Sequence, residues 1–454
     1  MRSAAVHPHT WTFVLLGFAI MGSTLLLSQF LSWTAIVILF CAAAAAATVV
    51  ARPQWGAYAL AFFAPMSGLV IDFSRDQSLS RLPYVSSINA PLVDLFAIFL
   101  LVVIGFLFLM RPDTVHLKAI SKYWQLLILF FIVVGVSALL SDPLFFGTTL
   151  KAFFRPYLFM WLGFAVPILL LLKTRVELFR ALFAYECAAL LGALMGAVSL
   201  VTQNVIGFVR ATPFSINGYA PFGVNHNVLA ESLTAIIPFA WWFADKQPRG
   251  SRRTWLFVAA GFISAIALLT FSRAAWIVMT VQLVAFLWWR GGQVLNRKEL
   301  VNSIFAAVVA LVIFFLVIQT TSIADSSDNT RKDLLGIAIT YWQRAPWFGQ
   351  GPGMYVPLVS ETVAFRMDYG AAMDAHGWVQ KLMLETGLVG TLALALFLGF
   401  VARGLWIRRT NEFHFLMLIT LVSLWGYQLF NTGYFDGKVW VLMGIILASI
   451  YEKK

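Results

Sequence analysis

Stretches of about 20 consecutive apolar residues recur from one end of this chain to the other, each long enough to cross the hydrocarbon of a bilayer. Such a run must satisfy its backbone N–H and C=O groups within itself, which a helix does. The runs fall at approximately 11–28, 31–50, 55–71, 91–110, 124–140, 156–172, 181–201, 225–243, 254–271, 274–289, 301–320, 376–401, 413–430 and 437–451. Some are short enough to be re-entrant, and 254–289 has almost no connector, so twelve to fourteen spans are expected. The expected fold is an all-α integral membrane protein, a polytopic bundle of 12–14 transmembrane helices forming a single domain over 1–454. Composition agrees: 61% of residues are hydrophobic and 11% charged, against roughly half and a quarter in globular proteins. The first run reads as a retained span, since no small-residue cleavage site precedes a soluble domain and further spans follow.

A net charge of +12 would by itself suggest a nucleic-acid partner. Its distribution argues for topology instead. Arg2, Arg52 and the segments 111–122, 173–180, 246–253, 290–298, 403–409 and 453–454 hold 20 of the 32 Lys and Arg residues. Alternation of the spans puts all of them on one side, which the positive-inside rule makes cytoplasmic, with both termini. No nucleic-acid partner is expected. Cys41 and Cys187 both lie inside apolar runs, giving neither a disulfide framework nor metal-ligand spacing.

The opposite side carries the longer polar loops, 72–90, 141–155, 202–224 and the large periplasmic loop 321–375. Loops beyond about 15 residues are usually functional or disordered. Within the last, Asp328 or Asn329 is placed to cap a helix running to about Arg344, with Leu334, Leu335, Ile339 and Trp342 as its apolar stripe. Pro346-Trp347-Phe348-Gly349-Gln350-Gly351-Pro352-Gly353 then makes a shaped turn whose aromatics are expected to rest on the membrane interface.

In an apolar bundle the ionisable groups carry the information, because they are costly there unless paired or used. On the outer side these are Lys151, Arg155, Arg210, Asn225-His226-Asn227, Ser272-Arg273 and His376. Positive-inside bias disfavours arginine on this face, and a guanidinium fork suits phosphate oxygens. Arg155 is expected to end a loop and open a span through Pro156; it binds an anion, snorkels, or pairs with a loop aspartate. Arg273 interrupts an apolar stretch abruptly. His376 stands at the start of a span with Asp374 as its N-cap, where the helix dipole favours the neutral imidazole a general base needs; the alternative is a structural histidine. Trp378, Lys381 and Glu385 share a helix face, with Lys381 and Glu385 spaced for a local pair. Gly387 and Gly390 would allow close helix approach. Asn225, His226, Asn227 and Glu231 either bind sugar hydroxyls or cap their helix, and Asp94 and Glu186 are solitary intramembrane carboxylates. No phosphate-binding glycine loop, dinucleotide fingerprint or zinc spacing is present.

The segment His376-Gly-Trp-Val-Gln380-Lys-Leu-Met-Leu-Glu385-Thr-Gly387-Leu-Val-Gly390 resembles the signature of the O-antigen ligase and polymerase superfamily. So do the proline–glycine turn at 346–353, Phe271-Ser272-Arg273-Ala-Ala-Trp276, and Asn225-His226-Asn227-Val-Leu-Ala230. The four occur in order over about 225–390. The resemblance implies a GT-C-like, polyprenyl-dependent glycosyltransferase of the bacterial inner membrane with a periplasmic active site. Its donor would be a glycan on undecaprenyl pyrophosphate. Its acceptor would be a sugar hydroxyl of the lipid A core in a ligase, or a second lipid-linked glycan in a polymerase. It implies no metal, cofactor or nucleotide.

On that reading His376 and Arg273 are the catalytic residues, base and charge stabiliser of one inverting displacement. Arg155, Arg210, Asn225, His226, Asn227 and Gln380 are the substrate-binding candidates. Ligation is favoured over polymerisation. A small-anion transporter is the reading from another class; the absence of an inverted repeat, and polar groups gathered at one face instead of the midplane, argue against it.

Overall fold

The computed structural model describes residues 46–72, 89–110, 124–202, 210–215, 220–294, 323–433 and 435–451. They form helices α1 (Pro53–Phe63), α2 (Leu92–Met110), α3 (Trp124–Leu139), α4 (Pro143–Leu171), α5 (Arg175–Thr202), α6 (His226–Lys246), α7 (Ser251–Leu269), α8 (Arg273–Val294), α9 (Ile323–Arg344), α10 (Tyr355–Glu361), α11 (Val363–Tyr369), α12 (Trp378–Ile407), α13 (Glu412–Gln428) and α14 (Gly437–Tyr451). One short antiparallel pair, β1 (Val70–Asp72) with β2 (Asn89–Pro91), joins α1 to α2. The protein is an all-α polytopic membrane protein. Among the described residues six helices, α2, α4, α5, α6, α7 and α12, are long and apolar enough to cross a bilayer, and shorter apolar helices lie at 125–139, 273–289 and 437–451. The spans expected at 11–28 and 301–320, and most of that at 31–50, lie outside the described residues.

The lipid environment explains the surface. Val102, Leu109, Met110, Val258 and Leu396 are exposed along α2, α7 and α12, an outlay of apolar surface that a water-soluble protein would not keep. The protein-facing core centres on α6 and α14. α14 is buried from Gly437 to Ile450, and Gly444 brings it against α4, where a Cβ would stand 2.8 Å from the Ala165 carbonyl oxygen.

Three boundaries differ from the sequence expectation. The span expected at 55–71 is helical only to Phe63, because Pro65 follows and the chain turns into β1. Residues 141–155, expected as a loop, are helical from Pro143. Pro156, expected as a first helical residue, lies inside α4; the helix accommodates a residue with no N–H by widening to π turns over Phe153–Phe159 and Trp161–Ala165. In the large loop, α9 ends at Arg344 as expected but already starts at Ile323, so Asp328 and Asn329 lie inside it instead of capping it. Its packed face is Leu334 and Ala338, whereas Leu335 and Ile339 are exposed.

A second interior proline shows how the bundle repairs its own backbone. Pro238 lies inside α6 and cannot donate to the Thr234 carbonyl one turn earlier. The Gln282 amide of α8 donates to that carbonyl at 2.8 Å and to the Ser423 hydroxyl of α13 at 2.9 Å. Three helices are thereby joined at a buried point. Gln282→Leu keeps the volume but orphans the carbonyl. It should lower stability by about 1–3 kcal/mol, read as a lower unfolding midpoint in detergent.

The helix ends sort into two groups. At one end Lys246 pairs with Glu412 at 2.6 Å, Arg253 pairs with Asp245 at 3.0 Å, and the Arg175 guanidinium lies 4.8 Å from the Phe413 ring centroid. This basic end joins the connectors before α5, α7 and α13. At the other, loop end, the Gly68 N–H meets the Pro221 carbonyl at 3.0 Å and the Ala211 N–H meets the Leu269 carbonyl at 2.8 Å.

Candidate active site

The loop end of the bundle gathers the starts of α6, α8 and α12, the end of α13 and the large loop. α7 and α8 are separated by a tight turn at 270–272 in which Phe271 takes a left-handed φ of 54°. That conformation is uncommon outside glycine and costs of order 1–3 kcal/mol. The turn is held by the Thr270 hydroxyl oxygen, which accepts the Ser272 N–H at 3.3 Å, and by the Trp276 indole, which donates to the Leu268 carbonyl at 3.0 Å. It places Arg273 as the first residue of α8. The Tyr427 hydroxyl of α13 donates to the Asn227 carbonyl at 2.8 Å and lies 2.9 Å from the Ser272 hydroxyl. One phenol therefore ties the Arg273 turn to the His226 helix.

His376 is half-buried in the stretch entering α12. The helix begins two residues later, at Trp378, with no side-chain cap. The expected Asp374 N-cap is thus corrected: Asp374 accepts the Ala375 N–H at 2.8 Å and receives the Lys381 ammonium on both oxygens, at 2.7 and 2.6 Å. Lys381 makes the expected local pair with Glu385 at 3.9 Å, and a closer one with Asp374 at 2.6 Å. Burial pushes the His376 pKa below the ordinary imidazole value, the charge of Arg331 pushes the same way, and Asp374 opposes both. The neutral imidazole is therefore the favoured form near pH 7.

Arg331, on α9, was not singled out from the sequence, where Thr330-Arg331-Lys332-Asp333 reads as a solvated charged face. Its charge bears on His376, on His226 and on Tyr427. Arg210 is half-buried, bears on His226 as well, and its Nε has no hydrogen-bond partner among the described residues. The structure thus brings Arg210, His226, Arg331, His376 and the Ser272–Tyr427 pair to one place. Just below Arg273 an apolar cavity of about 520 Å³ opens, lined by Ile237, Trp241, Leu268, Trp276, Met279 and Leu283 among others.

Other candidates have different partners. Arg155 pairs with Asp94 at 2.9 Å, so the carboxylate expected to be solitary is not. The Asn225 side chain caps α6 by accepting the Asn227 N–H at 2.9 Å. Glu231 lies 1% exposed, held by Gln428, by Asn431 at 3.2 Å and by Lys438 at 3.1 Å, which removes it from a sugar-binding set. Gln380 donates to the Tyr355 hydroxyl at 2.6 Å and so fastens α12 to the loop. Glu186 is buried, with no hydrogen-bond partner for Oε2 among the described residues. Lys151 is exposed.

Gly387 does not serve helix approach. It takes φ 66°, ψ −167° and breaks α12. The turn after α9 docks into the break. Gln350 and Gly351 donate to the carbonyls of Leu384 and Glu385 at 2.8 and 2.9 Å, and the N–H groups of Leu388 and Val389 donate to the carbonyls of Pro346 and Trp347 at 2.9 and 3.2 Å. Four backbone groups at the break are thus paired with the turn expected to lie on the interface; of the turn's aromatics Trp347 is exposed and Phe348 partly buried. Below it, Glu385 is fully buried and accepts from the Tyr157 hydroxyl at 2.6 Å and the Tyr355 N–H at 3.3 Å.

Residues 256–395 match the family model described as O-Antigen ligase. The match takes in Arg273, Arg331, His376 and the broken helix, and leaves out Arg210, His226 and Tyr427. No curated protein matches the chain.

Proposed function

We propose that this chain, whose residues 256–395 match the O-antigen ligase family model, transfers a glycan from undecaprenyl pyrophosphate to a sugar hydroxyl, most readily one on the lipid A core. The observation that carries this reading is His376 at the loop end of a membrane bundle, its imidazolium disfavoured by burial and by the charge of Arg331. A neutral imidazole takes the proton of the acceptor hydroxyl as its oxygen attacks the anomeric carbon. The bond from that carbon to the pyrophosphate breaks, with inversion. Charge grows on the departing oxygens, and Arg273, Arg331 and Arg210 are the groups assigned to stabilise it. Arg155 is assigned to its pair with Asp94 instead, and Asn225 and Gln380 to holding the backbone framework. The cavity below Arg273 suits the prenyl chain of such a donor, which must lie in hydrocarbon while its pyrophosphate reaches the helix ends. By the positive-inside rule the basic end is cytoplasmic, which puts this site on the periplasmic side of the inner membrane.

Polymerisation of lipid-linked repeat units uses the same chemistry with a different acceptor. Purified protein incubated with undecaprenyl-pyrophosphate glycan, with and without lipid A core, separates the two. Product only with the core is expected. A ladder without the core assigns a polymerase, and no product with either overturns glycan transfer. Arg273→Lys in the same assay should transfer poorly, because a point charge lacks the guanidinium fork.

A further inference from the structure

The residues on either side of His376 are both engaged by the connector between α13 and α14. The Thr432 hydroxyl donates to the Ala375 carbonyl at 2.7 Å. The Leu429 carbonyl presses on Gly377, where a Cβ would stand 2.6 Å from its oxygen. Ala375 is 2% exposed, so its carbonyl has little recourse to water.

The connector is in turn anchored on a buried charge of α6. Glu231 Oε1 accepts from the Gln428 amide, and Oε2 accepts from Asn431 at 3.2 Å and pairs with Lys438 at 3.1 Å. The Gln428 side-chain oxygen accepts the Gly433 N–H at 2.6 Å, and Lys438 also pairs with Asp436 at 2.9 Å. Gly433 packs so closely on Glu231 that a Cβ there would stand 2.6 Å from Oε1. Glu231 and Lys438 are each 1% exposed. A buried pair of this kind adds little stability over an apolar packing, and its best-attested use is to fix register. Here it fixes a connector whose contacts end beside His376.

We infer that Glu231 and Thr432 are positioning residues: through the α13–α14 connector they hold the backbone on both sides of His376 and so set where its imidazole stands. The inference rests on the assignment of His376 as the base, and one readout below does not depend on that assignment.

Thr432→Val removes the donor and keeps the shape. The first readout is the rate at which diethyl pyrocarbonate modifies His376, followed by peptide-resolved mass spectrometry on the full-length protein. That rate should rise roughly threefold as the tether opens, and Thr432→Ser should restore it. Glu231→Gln should move it the same way. The second readout is transfer: kcat should fall about 10- to 100-fold, the cost of a base displaced by a fraction of an ångström to an ångström, with the KM for the donor little changed. An unchanged modification rate in Thr432→Val with a parental unfolding midpoint overturns the positioning role, and so does a failure of Thr432→Ser to rescue. A raised rate with parental kcat upholds the positioning and removes the base assignment instead.

Discussion

His376→Ala leaves an intact, membrane-inserted protein that no longer transfers glycan, with kcat lowered by about 10²–10⁴ for loss of a general base. The side chain is half-buried and, among the described residues, no hydrogen bond of the framework depends on it, whereas its neighbours Ala375 and Gly377 are held by the α13–α14 connector. The variant should therefore insert and unfold like the parent. Its pH behaviour carries a sign. Burial and Arg331 both disfavour the imidazolium, so the folded-state pKa lies below the ordinary value near 6.5. Activity should stay full down to pH values below that figure and then fall as the imidazole is protonated. Arg331→Gln removes one of the two influences holding the pKa down, so its acid limb should move toward the ordinary value. Initial rates measured across the imidazole range decide this. Parental transfer by His376→Ala, or an acid limb above about 6.5, would count against the base.

Gly387→Ala carries the other large effect. Its φ of 66° with ψ −167° belongs to a region that only glycine occupies at low cost, worth about 1–3 kcal/mol for any other residue. The new Cβ would also stand 2.6 Å from the Phe348 nitrogen and closer still to the Trp347 carbonyl. No flexible side chain is available to yield, because the obstacle is backbone. The expected result is release of the 346–351 turn from α12, seen as faster tryptic cleavage of the large loop and loss of transfer. Gly399→Ala, on the same helix, is the internal comparison. It meets nothing within 4 Å, and alanine is the better helix former by about 1 kcal/mol, so it should be neutral or stabilising. Equal behaviour of the two variants would mean that the break does not govern the loop.

Much of the helical framework was legible because lipid imposes a length and a composition on each span. The starts of α6 and α8 and the extent of α14 follow the apolar runs to within a residue. The same patterning carries no information on which faces of distant helices meet. Arg155 finds Asp94 across 61 positions, and Gln428 finds Glu231 across 197, so in the sequence Asp94 looked solitary and Glu231 looked like part of a helix-mouth group. Arg331 was missed for the same reason: its surroundings along the chain are polar, and only the packing of α9 brings its charge to His376. Asp374 was misassigned because the Asp-x-His-Gly spacing fits a cap, while Gly377 is extended and delays the helix by two residues, freeing the carboxylate for Lys381. The proline–glycine turn was recognised as shaped. Its partner was not, since a break in α12 leaves no trace in hydropathy.

The pairing of that turn with the broken helix has a consequence for how such proteins can be recombined. A large loop between spans is ordinarily treated as a detachable module whose exchange between relatives leaves the spans untouched. Here the loop supplies four main-chain partners to the interior of a span, so a graft of 321–375 alone would unite a turn and a break shaped in different proteins. The unit that can be exchanged whole begins with α9 and ends past Val389, and a junction placed inside it divides one continuous piece of backbone bonding.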